Sequence, residues 1–293
     1  MRKVWIEAAI NGGWSRAWQP GIPHTVETIV NEGIACAKAG ASIIHAHAYD
    51  NDGQHTHDWQ VYARIIEGIR AKVDVPVYPS YPAFNWTGSD DSPFADPAAR
   101  FAHVEALAAR GLLDFAIIDP GCFNSSQTKA RVEAEPAGIY MNPESHVRYA
   151  LDFAKRHGLH INYAIYEPGF ARAGAALARA AGVKTPIYRL MFCEALAAGF
   201  PPKPYALAAY HGLLQDEAPG APWMIAAVNA DLRPLFGETI ARGGHIRVGL
   251  EDAPFGTSAT NLAMVEEAVR IVRKNGAEPA SPAEMRQALA QLA

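Results

Sequence analysis

This sequence holds no basic run longer than two residues, and its 26 lysines and arginines are outnumbered by 30 acidic residues. Nucleic acid and anionic membrane surfaces are bound through clustered positive charge, so both are excluded as partners. Long apolar runs are also missing, none approaching the roughly 20 residues that a membrane span needs. The opening MRKVWIEAAINGGW has a short apolar stretch broken by Glu7 and followed by Asn and Gly rather than a cleavage site, so it reads as a first strand and not a signal peptide. Cysteine is scarce: Cys36, Cys122 and Cys193 are odd in number and far apart, which points to reduced thiols and a cytoplasmic protein. No low-complexity linker, internal repeat or composition break divides the chain, so residues 1–293 are expected to form one domain.

What is present is a large apolar content, 49% hydrophobic against 19% charged, enough for a core that folds without staples. Short β-branched or apolar runs alternate with longer helical patterns. Strands are expected at 3–10, 41–48, 75–81, 113–119, 160–167, 186–193, 223–229 and 245–251, with helices such as 24–39, 58–72, 97–111, 143–157, 168–182 and 258–275 between them. Eight βα units in one continuous chain predict an α/β fold, a single (β/α)8 TIM barrel. An extra C-terminal helix follows at 281–292, where Ser281 caps, Pro282 takes the first position and Glu284 completes an S-x-x-E box. Loops 82–96 and 120–142 follow strands, so both should overhang the C-terminal face on which barrel active sites are built.

Within IIHAHAYD, strand alternation puts His45 and His47 on one face and Ile44 and Ala46 on the other. The apolar pair can meet helices while both imidazoles point to the axis, as two neutral histidines must to bind one metal ion. In GGHIRVGLED, Arg247, Gly249 and Glu251 share a parity. Barrel closure sets strand 8 beside strand 1, one strand from His45 and His47, so Glu251 can complete a His2Glu set with open positions. That donor set prefers zinc among divalent ions. The bland alternatives are a hydrogen-bonded core histidine, an ion pair of Glu251 with Arg247, and a loop-capping Asp252. A second H-x-H, His55 and His57, lies in a loop with no strand to hold it and is not counted among the ligands.

Three stretches, AAINGG, AGASIIHAHAYDNDG and GGHIRVGLEDAPFGTSATNLAMVEEAVRI with the later ASPAEMRQAL, resemble the β-keto acid cleavage enzymes over nearly the whole chain. The resemblance implies a barrel, assembled as a homotetramer, that converts a β-keto acid and acetyl-CoA into acetoacetate and a new acyl-CoA. It places the metal on His45, His47 and Glu251, the base on Asp252 and the arginine that orients the base on Arg247. Arg247 could equally bind the substrate carboxylate. Such a pairing is expected to lower the pKa of Asp252. Acetyl-CoA as co-substrate rests on the resemblance alone, because no phosphate-binding motif is present.

Departures from the family pattern bear on the substrate. The acid that would grip a substrate amino group aligns with Trp14, a strand 5 carboxylate with Ala164 and a strand 4 hydroxyl with Ile117, while the strand 4 end carries Asp119. Tyr49 stands where an arginine is usual, and Ser80 matches the strand 3 serine. Trp14, Ser80 and Asp119 are therefore the expected substrate contacts, with a keto acid that is not aminated. Glu7 and Glu167 could replace the missing acid, although buried or rim ion pairs suit them better. The rivals are a metal-dependent hydrolase of the amidohydrolase type, which needs histidines at the ends of strands 5 and 6, and a noncatalytic barrel that only binds.

Overall fold

The computed structural model describes residues 1–85, 94–126, 138–194 and 196–292. Eight strands form one parallel sheet: β1 (Ile6–Ala9), β2 (Ile43–His45), β3 (Val77–Tyr78), β4 (Phe115–Ile117), β5 (His160–Ile165), β6 (Ile187–Cys193), β7 (Trp223–Val228) and β8 (His245–Val248). Their order, 3-2-1-8-7-6-5-4, is that of a (β/α)8 barrel. Register runs Ala9 opposite His45 between β1 and β2, and Arg247 opposite Glu7 between β8 and β1. Among the described residues no ladder joins β3 to β4. Side chains bridge that seam instead: the Tyr81 hydroxyl contacts the Asp119 carboxylate and accepts from the Asp119 N–H, both at 3.0 Å.

Helices α1 (Val26–Ala39), α2 (Trp59–Arg70), α3 (Pro97–Ala108), α4 (Glu144–Arg156), α5 (Pro168–Ala181), α6 (Pro204–Glu217), α7 (Arg233–Ala241) and α8 (Asn261–Lys274) fill the connections, and α9 (Pro282–Ala290) follows. Strand alternation sorts the two sides of the sheet. On β6, Tyr188, Leu190 and Phe192 join the large core under the helices, whereas Met191 and Cys193 join a small apolar cluster with Ala164, Ala226 and Val228. Local signals set the helix ends: Thr25, Asp58, Asp96, Thr260 and Ser281 each accept a first-turn N–H, and Ser281 with Glu284 closes the expected capping box. No helix among the described residues is long and apolar enough to cross a membrane.

Two differences from the sequence pattern have clear causes. The first expected strand, 3–10, is split: Lys3–Val4 leaves the barrel and pairs in parallel with Glu278–Pro279, which ties the segment before α9 to the N-terminal end. Most strands are also shorter than the apolar runs that announce them: residues such as Ile10, Ser42 and Ala46 still donate to a neighbouring strand but fall outside the regular ladder. The central parts of the two long loops, 86–93 and 127–137, lie outside the described residues.

Candidate metal centre

β2 ends at His45, and His47 follows two residues later, outside the ladder. His45 Nε2 lies 3.3 Å from Glu251 Oε2, and His47 Nε2 lies 3.7 Å from Glu251 Oε1. One ligand atom from each of the three residues falls within 4.8 Å of the others. Both histidines are buried, and each is held from behind. The His45 ring stacks on Tyr78 with centroids 4.4 Å apart, and its Nδ1 faces the Tyr78 carbonyl at 3.2 Å. Asn11, from the loop after β1, grips the His47 backbone twice: its Oδ1 accepts the His47 N–H at 2.8 Å and its Nδ2 donates to the His47 carbonyl at 3.0 Å.

Glu251 reaches the same point by a route that parity does not describe. β8 stops at Val248, Gly249 takes φ +138°, and a tight turn follows in which Ala253 N–H donates to the Gly249 carbonyl at 3.0 Å. The Glu251 N–H donates to the Ala9 carbonyl, and the Trp14 indole N–H to the Glu251 carbonyl at 2.8 Å, so loop and strand 1 hold the turn together.

Arg247 is the hub beneath the cluster. Its Nε and Nη2 fork onto Asp252 (3.0 and 2.7 Å), its Nη1 donates to Glu7 Oε1 at 3.0 Å, and Nη2 also pairs with Glu251 Oε1 at 2.8 Å. Three carboxylates take up this guanidinium, so holding acids is the role of Arg247 that the geometry favours over binding a substrate carboxylate. Asp252 Oδ2 also accepts the Ala227 N–H at 2.9 Å. The two adjacent acids diverge. Burial pushes Glu251 up, but Arg247, His45 and His47 outweigh it and hold the carboxyl well below the usual range. For Asp252 burial prevails over Arg247 and raises the carboxyl, the reverse of what the ion pair alone leads one to expect. Burial also drives His45 far down, leaving it neutral as a ligand must be.

The donor set fits a divalent cation. Glu251 Oε2 is buried and accepts no hydrogen bond, a costly state for a carboxylate oxygen unless a cation or donor meets it. Two imidazoles and one carboxylate are the ligands of catalytic zinc sites that keep open positions.

Around this centre, Trp14 packs at the mouth against Phe255, ring centroids 5.0 Å apart, and against the apolar cluster that contains Ala164. Tyr49, in the arginine position, donates its hydroxyl to the Gly12 carbonyl and so pins the loop that carries Trp14. Ser80 is buried beside the β3 end, with its carbonyl facing His103 Nε2 at 2.8 Å. Asp119 is buried too, and its oxygens face the Ala164 N–H at 2.6 Å and the hydroxyls of Tyr81 and Tyr140. Ile117 lines the β4 end. Glu7 is the buried partner of Arg247 and of the Tyr78 hydroxyl, and Glu167 accepts the Gly199 N–H, so both serve structure here.

Sequence reasoning passed over one neighbour. His55 Nε2 lies 2.9 Å from His47 Nδ1, because Ala48–Tyr49 and His55–Thr56 pair as a short antiparallel ribbon. Beyond it the rings of His57 and His103 continue the row at centroid spacings of 4.6 and 5.0 Å. The D-N-D-G turn at 50–53 was the available signal, since a Gly-containing turn after a strand folds the chain back on itself.

A 3-keto-5-aminohexanoate cleavage enzyme of Fusobacterium nucleatum is 28% identical over 99% of this chain and 98% of its own. A 3-dehydrocarnitine:acetyl-CoA trimethylamine transferase of Rhizobium meliloti is 25% identical over 98% and 96%. A 3-oxoadipate:acetyl-CoA acetyltransferase of Cupriavidus necator is 24% identical over 97% and 93%. Among solved structures, ObcA in binary complex with oxaloacetate has the same fold, with a TM-score of 0.71 at 16% identity over 92% of this chain and 67% of that one. The sequence model of the β-keto acid cleavage enzyme family matches residues 3–290, and the chain belongs to that family.

Proposed function

We propose that this protein is a transferase that condenses a β-keto acid with acetyl-CoA, yielding acetoacetate and a new acyl-CoA, with a divalent cation, zinc by preference, on His45, His47 and Glu251. The observation that carries the reading is the convergence of those three side chains beside Asp252 at one end of the barrel. Acetyl-CoA as the second substrate is supported by the names of relatives that align over nearly the whole chain. When bound, the cation would polarise the ketone and raise the acidity of the carbon between it and the carboxylate.

Asp252 is the proton acceptor in this scheme. Its orientation comes from the Arg247 fork and the Ala227 N–H, so it meets the substrate as a fixed group rather than a mobile one. The carbanion left behind attacks the acetyl thioester; CoA transfer and retro-Claisen cleavage then release acetoacetate. Ser80 and Trp14 contact the substrate, with Asp119 fixing the β4 side of the pocket. Trp14 and the cluster of Ala164, Met191, Cys193, Ala226 and Val228 favour an apolar substituent on the keto acid over an ammonium group. We further take the chain to be a single domain that works in the cytoplasm as a homotetramer.

The hydrolase rival loses ground: β5 and β6 bring no histidine to their C-terminal ends, and His160 stands at the start of β5. Screening β-keto acids with acetyl-CoA on the zinc-loaded protein tests the reading. Acetoacetate release with acyl-CoA formation supports it. Hydrolysis without CoA, or tight binding without product, refutes it. Asp252→Asn should abolish turnover with zinc content intact.

A further inference from the structure

Metal-binding histidines need a partner for the ring nitrogen that does not bind, because that partner selects the tautomer and fixes the ring plane. The two histidines of this centre differ there. His45 Nδ1 faces a main-chain carbonyl, that of Tyr78, which can only accept. His47 Nδ1 faces another imidazole, with His55 Nε2 at 2.9 Å and the rings tilted by 37°. An imidazole nitrogen can be donor or acceptor, so the pair has two neutral arrangements. If His55 donates, the proton of His47 lies on Nε2, the nitrogen that faces Glu251. If His55 accepts, His47 carries its proton on Nδ1 and offers a bare Nε2 to the centre.

We propose that His55 is a positioning residue of the metal centre: its Nε2 accepts the Nδ1–H of His47, leaving His47 Nε2 free to bind the cation. The inference deepens the metal reading made above and rests on it. Several contacts hold His55 for this task. The ribbon register sets it opposite Tyr49, whose ring is 5.9 Å away, and Tyr49 is itself anchored on the Gly12 and Trp14 carbonyls. The Gly12–Gly13 backbone covers the junction at close range: a Cβ on Gly13 would sit 3.4 Å from His47 Nδ1 and 4.0 Å from His55 Nδ1. On the far side His57 packs edge-on against the His55 ring. The second H-x-H of the sequence thus supplies a support for the first and not a second pair of ligands.

Zinc affinity, measured by competition with a chromogenic chelator, tests this on the full-length protein. His55→Leu keeps the bulk and removes the acceptor, so it should weaken zinc binding by about 10- to 100-fold. His55→Gln, whose Oε1 can accept, should recover most of that loss, a rescue that a merely space-filling role would not give. The absorption spectrum of bound Co2+ should change in His55→Leu and return towards wild type in His55→Gln. Zinc affinity of His55→Leu within twofold of wild type overturns the proposal. Nitrogen NMR of the zinc-loaded wild-type protein needs no folded variant: His47 protonated on Nδ1 and coordinated through Nε2 is expected, and coordination through Nδ1 overturns the assignment. Failure of the wild-type protein to bind zinc or Co2+ sinks the metal reading itself, whereas wild-type binding that His55→Leu leaves unchanged sinks only the role of His55.

Discussion

Gly249→Ala probes the turn on which the centre depends. At φ +138° Gly249 holds a backbone shape closed to residues with a side chain, and an added Cβ would lie 2.7 Å from the Ala9 carbonyl carbon and 3.0 Å from the Ala9 nitrogen. Ordinary carbon contacts begin near about 3.5 Å, so β1 and the turn must separate by roughly 1 Å. Both obstacles are main chain, which no rotamer change can relieve. The backbone strain costs about 1–3 kcal/mol, and the displaced β1 contacts add a comparable amount. Taking about 3 kcal/mol in all, and an unfolding entropy near 0.6 kcal/mol/K for 293 residues, Tm should fall by about 5 °C. The same movement carries Glu251 away from His45 and His47, whereas metal–ligand distances tolerate only about 0.2 Å. Thermal melts with and without zinc are the assay. The variant should melt lower in both and lose most of the upward shift that zinc gives the wild-type protein. An alanine variant with the wild-type Tm and the full zinc shift would refute the reasoning.

Glu251→Gln should lose stoichiometric zinc in metal analysis while keeping its far-UV circular dichroism; retention of one zinc per chain would remove Glu251 from the ligand set. Arg189 is buried with Nη2 3.8 Å from Asp119 Oδ1 and Nε without a partner, and Asp119 already accepts from Ala164 and the two tyrosines. Those hydrogen bonds remain in Arg189→Met, but the buried Asp119 carboxylate loses its counter-charge, so stability should fall by about 3–5 kcal/mol in urea unfolding, and an unchanged stability would show that the hydrogen bonds alone satisfy Asp119. His245 stacks on Trp5 and accepts the Trp5 N–H on Nδ1, and burial, aided by Arg2, pushes it down from 6.5 to about 3. The unfolded chain binds this proton first on acidification, so the contribution is complete above pH 6.5 and is lost as pH falls towards 3, by about 1.4 kcal/mol per pH unit. His245→Gln should flatten the acid side of a Tm–pH curve, and parallel curves would contradict this.

The barrel was legible because each βα unit repeats the same contrast, a short run such as HINYAI followed by a longer helix opened by Pro168 or capped by Thr260. Parity correctly placed His45, a ladder residue. Glu251 was found by the same rule although the ladder ends at Val248; Gly249 redirects the chain, and the turn returns the carboxylate to the axis by another path. His55 escaped because a ribbon of two residues per strand is too short to show any period, and its importance depends on a tertiary contact. The direction of the Asp252 shift was missed for a related reason: an ion pair can be read from neighbours in sequence, but depth of burial cannot.

The unladdered seam has a consequence for how this site can diverge. Every proposed ligand hangs from β2 or β8, which β1 joins through continuous ladders, while the seam sits between β3 and β4 and is bridged by the hydroxyl of Tyr81. A side-chain bridge can be exchanged without breaking a ladder, so the wall beside Asp119 can be rebuilt for a new substrate while the ladder between β2 and β3, whose Tyr78 backs His45, stays in place.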